Sequence, residues 1–262
     1  MIPWLARYIA CPLHERLLSR PTFRCVRELE RSQWWSPDAI RRLQHEKLRA
    51  LLRHASVKTP FYRDRLARVG LFPSDIEATK EPNDLLAALP LLDKRQIRSS
   101  RDQMLWRDAP GGLFEHNTGG STGEPLIFYF DRRRQAYDQA ARIRTHRWFG
   151  VNIGDRELYL WGSPIELNRA DRVKRFRDRL FNHRLVDAFT MSPRRMDAYI
   201  DAWNRFRPHC LFGYPSSIVR FAEHARSRRR RLDRRALRAV FVTGEVCAPH
   251  DRREIADYFE VP

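Results

Sequence analysis

The sequence predicts an α/β fold in which a mainly helical first part precedes alternating strands and helices. Apolar residues recur at helical spacing through much of residues 1–110. From residue 111 onward, short apolar runs alternate with helical patterns, and several of the runs end at a glycine-containing turn. Such alternation is typical of a largely parallel sheet. We therefore expect a helical region at 1–110 and an α/β region at 111–262.

The helical part carries clear start and stop signals. Ser36-Pro37 supplies an N-cap and a proline at the first helical position, and the helix that follows should end before Thr59-Pro60. The proline-punctuated segment 70–88 should connect it to a short helix that begins at Asp93. The first ten residues could lie on a membrane surface as an amphipathic turn, although packing on the protein is favoured.

The α/β part should begin with a strand at 126–130 and a helix that Asp131 caps and that runs to about Phe149. The inward positions of this helix are predicted to be Ala136, Ala140, Ile143 and Trp148. A basic helix is expected at about 168–182, and Ser192-Pro193 should cap another. The aromatic and aliphatic stripe of that helix predicts core positions at Met196, Tyr199, Ile200, Trp203 and Phe206. The remaining predicted elements are strands at 157–161, 210–213 and 239–243, and helices at 215–227 and 249–259.

The composition is strongly basic, with 50 Lys and Arg against 32 Asp and Glu, and a net charge of +18. Such a charge attracts nucleic acid, anionic membranes or acidic ligands, and the alternative is that most arginines are simply solvated. The one dense run is Arg226–Arg231. The four cysteines are widely spaced without zinc-ligand spacing, so no metal site is predicted and a reduced, cytoplasmic setting fits best. No apolar run approaches the ~20 residues of a membrane span.

The segment Asn117–Pro125, here called the glycine-rich loop, is rich in glycine and hydroxyl residues. Glycine allows the backbone to approach a ligand, and successive N–H groups can form a concave anion site. An ordinary hairpin turn is the alternative. The loop matches neither established phosphate motif, because no lysine follows the glycines and an apolar strand pattern follows instead of a helix.

Two further glycine turns follow predicted strands, at Gly213-Tyr214-Pro215-Ser216 and at Thr243-Gly244-Glu245. In parallel α/β sheets ligands bind at the carboxyl ends of the strands, so these turns are candidate site elements.

Together these pieces resemble the adenylate-forming enzymes, specifically the phenylacetate–CoA ligase/CapK-like branch. Four segments carry the resemblance in order: Leu48–Arg63 with its Pro60-Phe61-Tyr62-Arg63 turn, Asn117–Pro125, Arg207–Ser216 and Phe241–Glu245. The ordered set covers most of the chain and is more specific than any one member.

The resemblance implies the N-terminal domain of an adenylate-forming enzyme, with 111–262 as its nucleotide-binding region. A carboxylic acid would react with Mg²⁺-ATP to give an acyl-adenylate, and the acyl group would pass to CoA or another acceptor. The implied nucleotide-binding residues are Thr118, Gly119, Gly120, Ser121, Thr122, Gly123, Gly244 and Glu245. Tyr214, Pro215 and Ser216 would line the substrate pocket, although Glu245 could equally be a solvated carboxylate and Tyr214 a core aromatic.

The sequence also departs from the family pattern. The Tyr-Gly…Glu motif that contacts adenine and places Mg²⁺, and the catalytic lysine of a mobile C-terminal domain, are expected beyond residue 262. We therefore expect a partial enzyme that is cytoplasmic and that could form a homodimer. Members of this branch are associated with polysaccharide gene clusters as well as aryl-acid activation. No specific nucleic acid is expected as a partner. The alternatives to a partial enzyme are a basic nucleic-acid-binding module or a non-catalytic remnant.

Overall fold

The computed structural model of the protein describes residues 2–78, 81–117, 126–162 and 177–262. The helices are α1 (Pro3–Leu5), α2 (Cys11–Leu17), α3 (Thr22–Ser32), α4 (Pro37–Lys58), α5 (Pro60–Ala67), α6 (Pro73–Ala78), α7 (Pro82–Ala87), α8 (Lys94–Ser99), α9 (Arg132–Trp148), α10 (Pro193–Phe206), α11 (Pro215–Ser227) and α12 (Pro249–Phe259). The strands are β1 (Phe114–Asn117), β2 (Ile127–Phe130), β3 (Glu157–Leu160), β4 (His183–Val186), β5 (Cys210–Gly213) and β6 (Ala239–Val242).

The chain forms two compact units. One, the helix-rich unit, is Leu18–Ala140, and the other, the sheet unit, combines Met1–Leu17 with Ala141–Pro262. The division into regions 1–110 and 111–262 stays a prediction about domains.

The helix-rich unit confirms the capping signals. The Ser36 hydroxyl accepts a hydrogen bond from the Ala39 N–H at 3.3 Å, and α4 ends at Lys58 as expected. Asp93 forms a capping box with Gln96 at the start of α8. Segment 70–88 differs from the expectation of a plain connection, because prolines at the first turns of α6 and α7 start two short helices there. Ile76 of α6 packs with Leu52 and Leu66 in a small core.

A hairpin flanks the glycine-rich loop in this unit. β1 and β2 pair antiparallel, with Asn117 opposite Ile127, which confirms the predicted strand. The loop residues between these strands, Thr118–Gly123 among them, lie outside the described residues.

Helix α9 begins as Asp131 predicted, since the Asp131 carboxylate accepts a hydrogen bond from the Arg134 N–H at 2.7 Å. Ala136, Ala140 and Ile143 are buried as expected. The inward placement of Trp148 is wrong, since its side chain is 51% exposed at the last residue of the helix. The Arg144 guanidinium lies 5.3 Å from its ring centroid and covers that face.

The sheet unit contains the predicted parallel sheet, in the order β4-β3-β5-β6 with every neighbouring pair parallel. Strand β4 was not predicted, because His183 and Arg184 interrupt the apolar pattern of this edge strand. The expected helix at 168–182 falls largely outside the described residues, although 177–180 is helical. The stripe of α10 is confirmed as core: Met196, Ile200 and Trp203 are buried against β3, β5 and α11, and Tyr199 and Phe206 pack partly buried against them.

This topology determines where the candidate site lies. Parallel strands bring their carboxyl ends to one edge of the sheet, and Trp161, Tyr214 and Thr243 follow β3, β5 and β6 at that edge.

Candidate functional site

The two glycine turns of the sheet unit meet at the carboxyl edge of the sheet. The Thr243 N–H donates to the Gly213 carbonyl at 3.1 Å, which joins the ends of β5 and β6. The Ser216 hydroxyl donates to Glu245 Oε2 at 2.6 Å, and the Ser216 N–H donates to the same oxygen at 3.3 Å. The structure therefore brings Tyr214, Pro215, Ser216, Gly244 and Glu245 together, although their roles stay predictions.

Glu245 acts here as the cap of a helix from another loop. Helix α11 begins at Pro215, and the residue before it, Tyr214, provides no side-chain cap. The Glu245 carboxylate takes this position and satisfies the Ser216 N–H, where a negative charge also interacts favourably with the helix dipole. Glu245 is thus held in place at the sheet edge although it is exposed to solvent.

Both turns require glycine, because there is no space for a Cβ atom at Gly213 or Gly244. A Cβ at Gly213 would lie 2.5 Å from the Leu160 carbonyl oxygen. Gly244 has φ +82°, and a Cβ there would lie 2.7 Å from Cε1 of Tyr214 and 3.1 Å from Cη2 of Trp161. The backbone of this edge therefore lies directly against the aromatic rings.

Aromatic rings form one wall of the site. Tyr214 stacks on Trp161 with centroids 4.1 Å apart and an interplanar angle of 12°. Phe189 approaches Tyr214 edge-on at 5.9 Å and is 65% exposed. Neither Trp161 nor Phe189 had a predicted role in the site. Trp161 does follow a strand directly, and this position could have identified it.

A buried polar network lies at the opposite, amino ends of the same strands. Glu157, the first residue of β3, accepts hydrogen bonds from Arg142 at 2.8 Å and from the Tyr159 hydroxyl at 2.6 Å. His146 Nδ1 lies 3.6 Å from Glu157 Oε2, and His183 Nε2 lies 3.7 Å from Glu157 Oε1. Sequence reasoning missed this network, because its members are far apart along the chain.

Charge and burial set the protonation states of the network. Burial alone would raise the pKa of Glu157, but the Arg142 guanidinium and the two imidazoles outweigh it and hold that pKa well below its usual range. Burial lowers the pKa of His146 to about 4, against the opposing effect of Glu157. Both residues are nearly inaccessible to solvent. At neutral pH a carboxylate therefore pairs with Arg142 beside a neutral His146.

His146, Glu157 and Cys210 also place potential metal-ligand atoms within 4.8 Å of one another. Burial raises the pKa of the Cys210 thiol well above its usual value, with Glu157 adding to the effect, so the thiolate that binds a metal is disfavoured. Arg142 already neutralises Glu157. The geometry therefore favours an ion-pair network over a metal centre.

The arginine run has partners in the folded chain. Arg226 pairs with Glu254, Arg230 pairs with Asp201, and Arg228 lies 3.4 Å from Asp197. These contacts tie the end of α11 to α10 and α12, so the run stabilises helix packing as well as carrying charge. Among the helices that the structure describes, none is long and apolar enough to cross a bilayer.

The fold is similar to that of solved structures. No protein-family model matches the chain. The sheet-bearing fold is similar to that of 2-hydroxyisobutyryl-CoA ligase, solved in complex with 2-HIB-AMP and CoA, with a TM-score of 0.60 and 21% identity over 86% of this chain and 48% of that one. The same ligase in its postadenylation state gives a TM-score of 0.61 over 83% of this chain and 46% of that one. The chain thus has the N-terminal fold of an adenylate-forming ligase.

Two characterised proteins are similar to the chain in sequence. The chain is 24% identical to protein CapK of Staphylococcus aureus over 225 residues, which is 84% of this chain and 48% of CapK. It is 32% identical to phenylacetate-coenzyme A ligase of Pseudomonas putida over 139 residues, 50% of this chain and 29% of that enzyme. The chain is therefore similar in sequence to a CapK protein and to a phenylacetate-coenzyme A ligase, and it spans about half the length of CapK.

Proposed function

We propose that the chain provides the ATP- and acyl-binding part of an adenylate-forming CoA ligase. The observation that supports this most is the junction of the Gly213–Ser216 and Thr243–Glu245 turns at the carboxyl edge of a parallel sheet. This edge is the usual ligand position of such sheets. The relatives named phenylacetate-coenzyme A ligase and 2-hydroxyisobutyryl-CoA ligase supply the reaction class.

The proposed reaction has two steps. The carboxylate of the substrate attacks the α-phosphate of ATP, which forms the acyl–phosphate bond of an acyl-adenylate and releases pyrophosphate. The thiol of CoA then attacks the acyl carbon, loses its proton and releases AMP.

The chain's own residues would serve the first step by positioning. The glycine-rich loop would hold the β- and γ-phosphates as charge moves toward pyrophosphate. Its donors would be its backbone N–H groups and the hydroxyls of Thr118, Ser121 and Thr122. The stacked Tyr214 and Trp161 rings offer a flat apolar wall for an acyl group or a base. The Ser216–Glu245 contact would fix the two turns that flank this wall.

Mg²⁺ would accompany ATP and neutralise phosphate charge. Glu245 is a carboxylate at this edge, and it already accepts two hydrogen bonds from Ser216. This falls short of the oxygen ligand set that Mg²⁺ prefers. We therefore assign no bound magnesium to these residues.

Calorimetric titration with Mg²⁺-ATP tests the nucleotide assignment. Replacing Ser121 and Thr122 together with alanine should weaken binding roughly 10-fold or more, because hydrogen bonds to charged phosphates are lost. The matched control is Ser74→Ala, an exposed serine of α6, which should bind like the unchanged chain. Equal affinity of the double variant and the control would refute the nucleotide assignment.

ATP–pyrophosphate exchange tests the chemistry separately. Acid-dependent exchange with a panel of aromatic and aliphatic carboxylic acids, and an acyl-CoA product detected by mass spectrometry when CoA is present, would show that the chain catalyses both steps by itself. A chain that binds Mg²⁺-ATP yet supports no exchange with any acid would be the non-catalytic remnant.

A further inference from the structure

The first helical segment presents a large apolar surface to solvent. It consists of α1, a π-helical turn at Ala6–Ala10 and α2. The residues that form this surface, here called the outward face, are between 48% and 75% exposed. They are Ile2, Trp4, Tyr8, Ile9, Leu13 and Leu17. Large side chains of this kind are normally the ones that a helix buries.

The opposite side of the segment is small and polar, and it is packed within the sheet unit. Ala6, Cys11 and Glu15 are at most 5% exposed. Arg7 Nε donates to the Ile153 carbonyl at 3.2 Å. Gly154 allows close contact, since a Cβ there would lie 2.5 Å from the Pro3 carbonyl oxygen. The usual arrangement of an amphipathic helix is therefore reversed, and the packing holds the apolar side outward.

A π-helical turn at Ala6–Ala10 keeps the small residues of the segment on its inner side. On an ideal α-helix, residues five apart point about 140° away from each other. The Cys11 N–H instead donates to the Ala6 carbonyl, an i to i+5 bond that brings these two buried residues closer to one line. Tyr8 and Leu13 are left exposed, at 67% and 54%.

We propose that the outward face binds an anionic membrane surface, with the segment lying in the plane of the interface. Trp4 and Tyr8 are the aromatic types that concentrate at the membrane–water boundary, and Arg16 adds an exposed cation at the edge of the face. The net charge favours an anionic membrane over a second copy of the chain as the partner of the outward face. Two copies of a +18 chain repel each other, whereas an anionic leaflet attracts the whole molecule. Contiguous exposed apolar patches on soluble proteins commonly mark such contacts.

Co-sedimentation with vesicles tests the proposal on the 262-residue chain. Vesicles of phosphatidylcholine with phosphatidylglycerol are compared with phosphatidylcholine alone. The unchanged chain should partition to the anionic vesicles. Trp4→Ser combined with Leu13→Ser should lower the partition coefficient roughly 10-fold or more, because two large apolar side chains no longer enter the interface.

The control variant is Phe72→Ser combined with Leu91→Ser, since these side chains are 55% and 96% exposed in the helix-rich unit. It should bind like the unchanged chain, and circular dichroism should show that both variants are folded. If Trp4→Ser/Leu13→Ser binds as well as this control, the attraction is general charge and the proposal is overturned. Equal binding to uncharged vesicles, or a dimer in light scattering that this variant abolishes, would overturn it as well.

Discussion

Gly244 is the residue at the candidate site whose replacement has the sharpest expected effect. Gly244→Ala places a Cβ 2.7 Å from the Tyr214 ring at a backbone φ of +82°. A left-handed conformation costs a non-glycine residue about 1 kcal/mol, and overpacking against a ring held by Trp161 adds ~2 kcal/mol. We expect urea unfolding to show a loss of about 3 kcal/mol.

Gly162→Ala separates the two contributions. Gly162 also has a positive φ, +68°, but a Cβ there would meet no atom of the described residues within 4 Å. This variant should lose only about 1 kcal/mol. Equal losses for the two variants would show that the Tyr214 ring gives way without cost, and the rigid aromatic wall would then be wrong.

His146 should make stability depend on pH. Its pKa is lowered by burial to about 4 in the folded protein, against about 6.5 in an unfolded chain. As the pH falls from about 6.5 to about 4, the unfolded chain therefore binds a proton that the folded protein does not. The free energy of unfolding should fall by up to about 3 kcal/mol over this interval, and it should be recovered as the pH rises again.

The measurement is urea unfolding across the same pH interval, repeated for His146→Gln. This variant should lose most of the slope, since no proton is taken up at position 146. His250→Gln is the control, because the His250 side chain is 76% exposed, and the slope should remain. If the free energy of unfolding of His146→Gln still depends on pH in the same way, groups other than His146 cause the dependence. Below about pH 4, Glu157 adds a further loss, because its lowered pKa contributes stability only while it is ionised.

At the scale of elements, the sequence predicts those that local signals specify. Helices α4, α8 and α10 begin at the serine or aspartate that caps them, and α12 has the predicted bounds. The same signals miss β4, which is a strand because β3 pairs with it and not because its residues alternate. They also miss the π-turn at Ala6–Ala10, because no residue type in the sequence marks the extra residue of a π-turn.

The cap of α4 gives a test at this scale. Ser36→Ala removes the acceptor for the Ala39 N–H and should lower the free energy of unfolding of the helix-rich unit by about 1 kcal/mol. Ser36→Gly should cost only a few tenths of this, because glycine is itself a tolerated N-cap. If Ser36→Ala unfolds thermally at the same temperature as the unchanged chain, the Ser36 hydroxyl contributes nothing.

At the scale of the molecule, the candidate site was only partly predictable. The turns at 213–216 and 243–245 could be placed at one sheet edge, since parallel strands share that edge. The Ser216–Glu245 bond and the Tyr214–Trp161 stack could not be placed, because each joins residues from different strand ends. The buried network around Glu157 was unpredictable for a related reason, because it joins side chains of α9, β3 and β4. Pairings of this kind depend on the order and register of the strands.

The net charge of +18 leads to a prediction for the whole chain. Self-repulsion of like charges destabilises a compact protein, and raising the ionic strength from about 0.01 M to about 0.15 M shortens the Debye length from about 30 Å to about 8 Å. The exposed ion pairs weaken with salt too, but each contributes little. We therefore expect the Tm to rise by a few degrees, on the order of 1 kcal/mol of stability, in sodium chloride and equally in potassium chloride.

Reducing the charge tests the cause of this rise. Arg231→Glu combined with Arg253→Glu changes two exposed residues and lowers the net charge from +18 to +14. The variant should be more stable than the unchanged chain at low salt and should gain less Tm from added salt, because less repulsion remains to be screened. A Tm that falls with salt in the unchanged chain would mean that attraction between the paired charges, such as Arg226 with Glu254, outweighs the repulsion of the excess arginines.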